Sequence, residues 1–307
     1  MSNAVVKKPH SLTNRREGHI IYDIVVCTLL AVICFVCLYP FWNVAVISFN
    51  DAQDTVRGGL YFWPRQFTLE SYREVFKNTE IWHAAGVSLA RTIIGTACAL
   101  FFTTLLAYGM SKKELFGGRT LGYFFVFTMY FGGGLVPYYM VLKTVGLIDS
   151  FWVYIIPGAI SVYNMILIRI YIESLPAELE ESAYLDGAGD GTVLFRIVLP
   201  LIKPVLATVG LFTAVSQWSS WFDTNLYTYD GSLKTLQFLL VQILNNYDLG
   251  ATKSAAEILQ QASKQSQVNS DSIRMATAMV VTVPILLVYP FLQKYFVKGM
   301  MIGAVKG

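Results

Sequence analysis

Trp218, Trp221, Phe222 and Asp223 stand together near the end of an apolar run, three aromatic faces beside one carboxylate. Aromatic faces stack on the apolar faces of sugar rings, and a carboxylate accepts hydrogen bonds from sugar hydroxyls. The same residues also fit an aromatic belt at a membrane surface. Arg91 lies inside another apolar run, two turns from its end. A charge in that setting is costly unless it meets a cavity or a partner. It suits an acidic sugar or an acid on a partner subunit, and snorkelling to the surface is the alternative. Tyr163 and Asn164 fall mid-run in a third segment. A buried Asn there must bond either to a neighbouring helix or to a solute, and helix packing is the favoured reading. Arg169, at the far end of that run, suits a structural place near lipid headgroups.

No set of residues has the spacing of a catalytic or metal centre. His10, His19 and His83 are scattered, without H-E-x-x-H spacing. Cys27, Cys34, Cys37 and Cys98 all sit in apolar runs and read as small buried apolar residues. There is no G-x-x-x-x-G-K-[ST] loop to cradle ATP phosphates. Paired carboxylates occur only in loops, and no Ser/His/Asp or Cys/His set stands out, so the chain does not read as an enzyme.

Elements that position these residues must lie in lipid. Of 307 residues, 55% are hydrophobic and only 14% charged, where soluble domains carry about a quarter. Mean hydropathy is +0.51. The net charge of +3 does not suggest nucleic acid. Runs of about 20 apolar residues cross a bilayer, and six are expected: about 20–49, 84–110, 121–141, 152–172, 205–222 and 273–296. The first is too long for a signal-peptide core and lacks a cleavage pattern. Gly132 to Gly134 and Pro137 break the third, and Pro157 stands early in the fourth. Such breaks need protein or a water-filled cavity to satisfy the backbone. Trp63 and Trp82 suit the interface. Twelve Lys and Arg residues fall on the side of the two termini and eight on the other, in longer loops. The positive-inside rule then makes the termini, and residues 1–19, cytoplasmic.

One polar stretch, Ser174 to Pro204, looks built rather than linking. Pro176 suits a helix start, and Glu178, Glu180 and Glu181 suit the positive end of the helix dipole. That helix runs to about Leu185. Asp186-Gly187 then turns the chain, a second helix covers roughly Asp190 to Val198, and Leu199-Pro200 and Pro204 end it. Apolar residues are interspersed among acids in an element that lies between spans, so it is shaped to be held by something else.

Glu181-Ser182-Ala183, Asp186-Gly187-Ala188, Phe195 and Ile197-Val198-Leu199-Pro200 resemble the EAA loop of ABC-importer permeases, with Ser182 at the middle small position. Ala107 to Lys112, Phe131 to Pro137 and Gln217 to Asp223 are similar to motifs of the MalG-like carbohydrate branch, in a sub-branch that handles larger oligosaccharides. The resemblance covers roughly residues 20–307. It implies an all-α membrane protein of six transmembrane helices with the type I importer permease fold. Residues 174–204 would be a cytoplasmic coupling helix, in which Glu181, Ser182, Ala183, Leu185, Asp186, Gly187, Ala188, Phe195 and Pro200 meet an ATPase. ATP and Mg would bind that ATPase, present in two copies, and this chain would hold no cofactor. A second, homologous permease, an extracellular or lipid-anchored sugar-binding protein and a bacterial cell membrane complete the implied setting. A permease for a non-sugar solute is the nearest alternative. A stand-alone secondary transporter would need more ionisable mid-span residues than Arg91.

Overall fold

The computed structural model describes residues 17–250 and 270–304. The expected cytoplasmic segment, residues 1–19, lies almost wholly outside the described residues, as do residues 251–269 of the polar stretch before the sixth expected span. In chain order the helices are α1 (Glu17–Ser48), α2 (Ala52–Thr55), α3 (Glu70–Lys77), α4 (Thr79–Ser111), α5 (Gly118–Tyr130), α6 (Leu135–Thr144) and α7 (Val162–Glu173). They continue with α8 (Glu178–Leu185), α9 (Asp190–Thr192), α10 (Leu199–Leu201), α11 (Lys203–Ser219), α12 (Phe222–Tyr227), α13 (Leu236–Gly250) and α14 (Ser270–Ala304). Among the described residues the only β pairing is one isolated bridge, Asn50 to Phe67.

Three segments are single helices long and apolar enough to cross a bilayer: Tyr22–Ser48 in α1, Thr79–Ser111 in α4 and Asp271–Val288 in α14. The other three expected spans are not straight helices. The third is bent by 115° between α5 and α6. Gly132 to Gly134 make that bend, and Gly134 adopts φ +87°, a conformation that favours glycine. The fourth opens as a 3₁₀ turn, Phe151–Tyr154, and becomes α-helical only at Val162. Pro157, with no N–H to donate, falls in the irregular stretch between. The bundle supplies partners for that open backbone. Gln217 Nε2 donates to Tyr154 O at 3.3 Å, and Thr103 Oγ1 accepts from Ser161 N at 3.3 Å and donates to Ala159 O at 3.5 Å. The fifth helix stops at Ser219, and after an extended residue at Ser220 the chain restarts as α12.

α4 is the central post. It packs against α11, α7, α13 and α3, while α14 packs against α1 and α11. Val209, Ala107, Met165 and Ile168 are buried where α4, α7 and α11 meet. α1 departs from the bundle, and none of its most apolar window is buried by this chain. Cys27, Cys34 and Cys37 are therefore exposed rather than buried, because among the described residues nothing covers α1 at their positions. Beyond α1, Asn50 and Arg65 both bond Asp54 Oδ2, at 3.0 and 2.8 Å. The hydrogen bonds from Arg65 and then Asn50 hold the Asp54 carboxyl below its ordinary range.

Candidate functional site

Two places gather the polar residues. The first is a cleft of about 310 Å³ between α4, the broken fourth segment and the α11–α12 junction, lined by Arg91, Tyr138, Tyr154, Gln217, Asp223 and Tyr227 among others. Arg91 is 3% exposed and does not snorkel. Its Nη2 pairs with Asp223 Oδ2, Nε donates to Gln217 Oε1 at 2.8 Å, and Nη1 donates to Ser220 O at 3.3 Å. Its guanidinium carbon lies 4.5 Å from the Tyr154 ring centroid, a contact that favours the cation on an aromatic face. The acid that answers Arg91 thus comes from its own chain. The chain break at Ser220 makes this possible, since it turns Asp223 back toward α4. Gly95 is also required: a Cβ there would stand 2.8 Å from Gln217 Nε2.

Of the residues singled out by type, only Arg91 and Asp223 line this cleft. Trp218 faces the other way and donates from Nε1 to Val281 O of α14 at 3.0 Å. That bond makes it a packing residue between two helices. Trp221 and Phe222 meet edge to face at 5.8 Å outside the cleft, with Phe222 44% exposed. Tyr163 is 57% exposed on α7. Asn164 Nδ2 reaches Thr213 Oγ1 on α11 at 3.5 Å, the helix-packing arrangement. Arg169 pairs with Glu173 one turn on, at 2.7 Å. The aromatic rings that line the cleft are tyrosines 138, 154 and 227, whose separate segments gave no sequence signal of convergence.

The second place is the 174–204 element. α8 ends in a Schellman cap: Ala188 N donates to Ala183 O at 2.9 Å and Gly187 N to Tyr184 O at 3.0 Å. Gly187 has φ +82°. The chain then runs helically to Leu201, past the end expected at Leu199-Pro200. Val193–Val198 is a π-helical turn, with Leu199 N bonded to Leu194 O. This wider turn shifts the carbonyl that a proline ring would otherwise strike, so Pro200 is accommodated. The break comes at Ile202, where α11 departs at 80° with Pro204 in its first turn.

One face of this element is buried. Ala183, Val193, Leu194 and Val198 pack with Tyr108, Met110, Ile168 and Ile172. Each fully buried valine contributes about 1.5–3 kcal/mol relative to exposure. The other face is open: Glu181, Ser182, Asp186 and Pro200 are exposed, Ala188 is half-buried, Phe195 is 52% exposed and Leu185 89%. Lys112, just past α4, ties the element down. Its Nζ pairs with Glu180, donates to Tyr184 OH at 3.1 Å and sits 4.3 Å from the Tyr108 ring centroid. Tyr184 OH in turn donates to Asp190 Oδ1 at 2.6 Å. Burial opposes the Lys112 charge, but the bonds to Glu180 and the two tyrosines outweigh it and hold the ammonium above its ordinary pKa. Burial, then the bond to Asp190, pushes the Tyr184 hydroxyl up as well. Lys112→Met removes the tether and leaves the buried face intact. The expected loss is about 1–2 kcal/mol of local order, read as faster hydrogen exchange over residues 178–185 with α4 unchanged. Unaltered exchange would mean that the apolar face alone holds α8.

A family model described as "Binding-protein-dependent transport system inner membrane component" matches residues 120–302. Polygalacturonan/rhamnogalacturonan transport system permease protein YtcP of Bacillus subtilis (strain 168) is 37% identical over 94% of this chain and 99% of its own length. Protein LplC of the same organism is 39% identical over 97% of this chain and 99% of its own. Among solved structures, a chain of a bacterial ABC transporter involved in the import of the acidic polysaccharide alginate superimposes with TM-score 0.83. That chain is 27% identical, and the match covers 94% of this chain and 100% of it.

Proposed function

Since this chain belongs to the family of binding-protein-dependent transport system inner membrane components, we propose that it is one permease subunit of an ATP-driven oligosaccharide importer. The observation that carries this reading is α11. It runs unbroken from the 174–204 element at its N-terminus to Ser219, one residue before the stretch that places Asp223 against Arg91. A 17-residue helix is about 25 Å of stiff rod. A displacement of the 174–204 element that reaches the base of α11 is therefore carried along that helix toward the cleft.

In this reading residues 174–204 are the coupling element. Leu185, Phe195 and the exposed acids of α8 sit in an ATPase groove, Ala183 allows α8 to approach α4, and Gly187 shapes the turn. Two ATPase copies bind ATP and Mg. When they close, the coupling elements of this chain and of a second, homologous permease draw together. α11 then tilts, the cleft opens to the far side, and hydrolysis resets it. The cleft offers hydroxyl-binding groups at Asp223, Gln217 and Ser220, and aromatic faces at Tyr138 and Tyr227. Those groups suit sugars, the solutes named for YtcP and the alginate transporter. A sugar-binding protein delivers the substrate from outside, and both termini of this chain lie in the cytoplasm.

Gentle detergent purification from the native membrane tests the assembly. A second permease, an ATPase and a sugar-binding protein should accompany the chain, and the ligand of that protein names the substrate. Recovery of this chain alone, or only as a homodimer, would reject the reading.

A further inference from the structure

The loop after α1 does not cap that helix; residues 58–66 fold back along its side. Trp42 Nε1 donates to Phe62 O at 2.9 Å, and Asn43 Nδ2 donates to Leu60 O at 2.8 Å. The Phe62 ring lies 5.8 Å from the Tyr39 ring, and Trp63 meets Trp42 edge to face at 5.6 Å. Tyr39 precedes the end of α1 at Ser48 by nine residues, which is about 14 Å along the helix axis. Between loop and helix runs an apolar groove of about 350 Å³, lined by Phe35, Leu38, Tyr39, Trp42, Phe62 and Trp63.

We propose that this groove seats an acyl chain of a bilayer phospholipid, and that residues 58–66 are an interfacial anchor inserted into the leaflet at the C-terminal end of α1. Three observations single out lipid. First, the apolar stretch Tyr22–Ser48 has 27 residues, about 40 Å against the roughly 30 Å of hydrocarbon. Wherever the surplus emerges, the level of Tyr39 is at or below the lipid surface, and the loop tip reaches that level. Second, the tip is apolar and uncovered: Tyr61, Phe62 and Trp63 are 63%, 53% and 72% exposed, and Phe62 and Trp63 share the groove with Leu38 and Phe35 of α1. The Phe62 and Leu60 carbonyls are bonded by side chains of α1, which satisfies backbone that water would not reach. Third, the neck of the loop, though its two arginines are balanced by Asp51 and Asp54, presents an exposed guanidinium. Arg65 clamps it by donating to Gly58 O at 2.8 Å. The Arg57 side chain is 76% exposed and 3.7 Å from Asp54, whose other oxygen Arg65 already engages. Aromatic rings at the interface with a cation beside them match a phospholipid, with acyl chain below and phosphate above.

The test uses the whole importer in liposomes containing phospholipid brominated at shallow acyl carbons. Subtracting the tryptophan emission of Trp63→Phe from that of the unaltered protein isolates the Trp63 signal. The brominated lipid should quench the larger part of that signal, and aqueous iodide should leave it almost unchanged. Quenching by iodide would put the loop in water. Protection from both quenchers would mean that a protein partner covers the groove. Either result overturns the proposal. Neither depends on which solute is carried, so the outcome stands apart from that of the transport reading.

Discussion

Asp223→Ala is expected to destabilise the folded chain by about 3 kcal/mol, the lower end of the range for breaking a buried ion pair. The lower end applies because the Asp223 side chain is 32% exposed whereas that of Arg91 is 3% exposed. Losing the acid strands a cation that, among the described residues, keeps Gln217, the Ser220 carbonyl and the Tyr154 ring. Arg91→Met should cost less, since the acid left behind can reach water. The double variant Arg91→Met with Asp223→Ala should regain much of the stability lost in Asp223→Ala alone, because no uncompensated charge remains. Thermal unfolding of the intact importer in lipid nanodiscs measures all three. If the double variant is no more stable than Asp223→Ala, the pair does not govern this region. Recovered stability without recovered uptake would separate the part these residues play in the cleft from their part in the fold.

Gly187→Val should lower uptake by roughly five- to thirtyfold while ATP hydrolysis continues, as expected if 1–2 kcal/mol of backbone strain depopulates the capped turn. The cause is conformational rather than steric, since nothing lies within 4 Å of a Cβ built at Gly187. At φ +82° a β-branched residue is a true outlier, whereas Asn adopts the left-handed region far more readily. Gly187→Asn should therefore keep most of the transport. Comparison of the two at matched protein levels, with uptake and hydrolysis measured in the same vesicles, decides the matter. If Val transports as well as Asn does, the cap does not hold the coupling element in its working shape.

What the sequence made legible was mostly local. The Asp186-Gly187 turn follows from glycine's access to positive φ, and α8 from its acidic first turn. The lipid setting follows from hydropathy. Arg91 was conspicuous because a lone mid-span charge needs an explanation. Its partner was not, because Asp223 is 132 residues away, on a segment whose three aromatic rings drew attention to sugar stacking instead. An intramembrane cation and an intramembrane acid form a natural pair, and that signal was available. The Lys112 tether to Glu180 and Tyr184 spans about seventy residues and leaves no local trace. The course of the third and fourth spans was half legible: glycines and Pro157 marked where the helices break, but the irregular backbone of the fourth is held by Thr103 and Gln217, which supply hydrogen bonds from elsewhere in the bundle. The direction in which Trp218 points was likewise set by a tertiary neighbour, α14.

The way α1 stands apart bears on how the protein is made. Its main neighbour is α14, the first helix meeting the last. Synthesis runs from the N-terminus, so α1 enters the bilayer long before its companion has been translated. It must persist there, with the 58–66 loop folded against it, until α14 has been made. Its window has mean hydropathy 2.7, against 1.8 for α4 and 1.6 for α14. Of these three, the helix that is made first is the most apolar, and α14, which joins it only later, is the least.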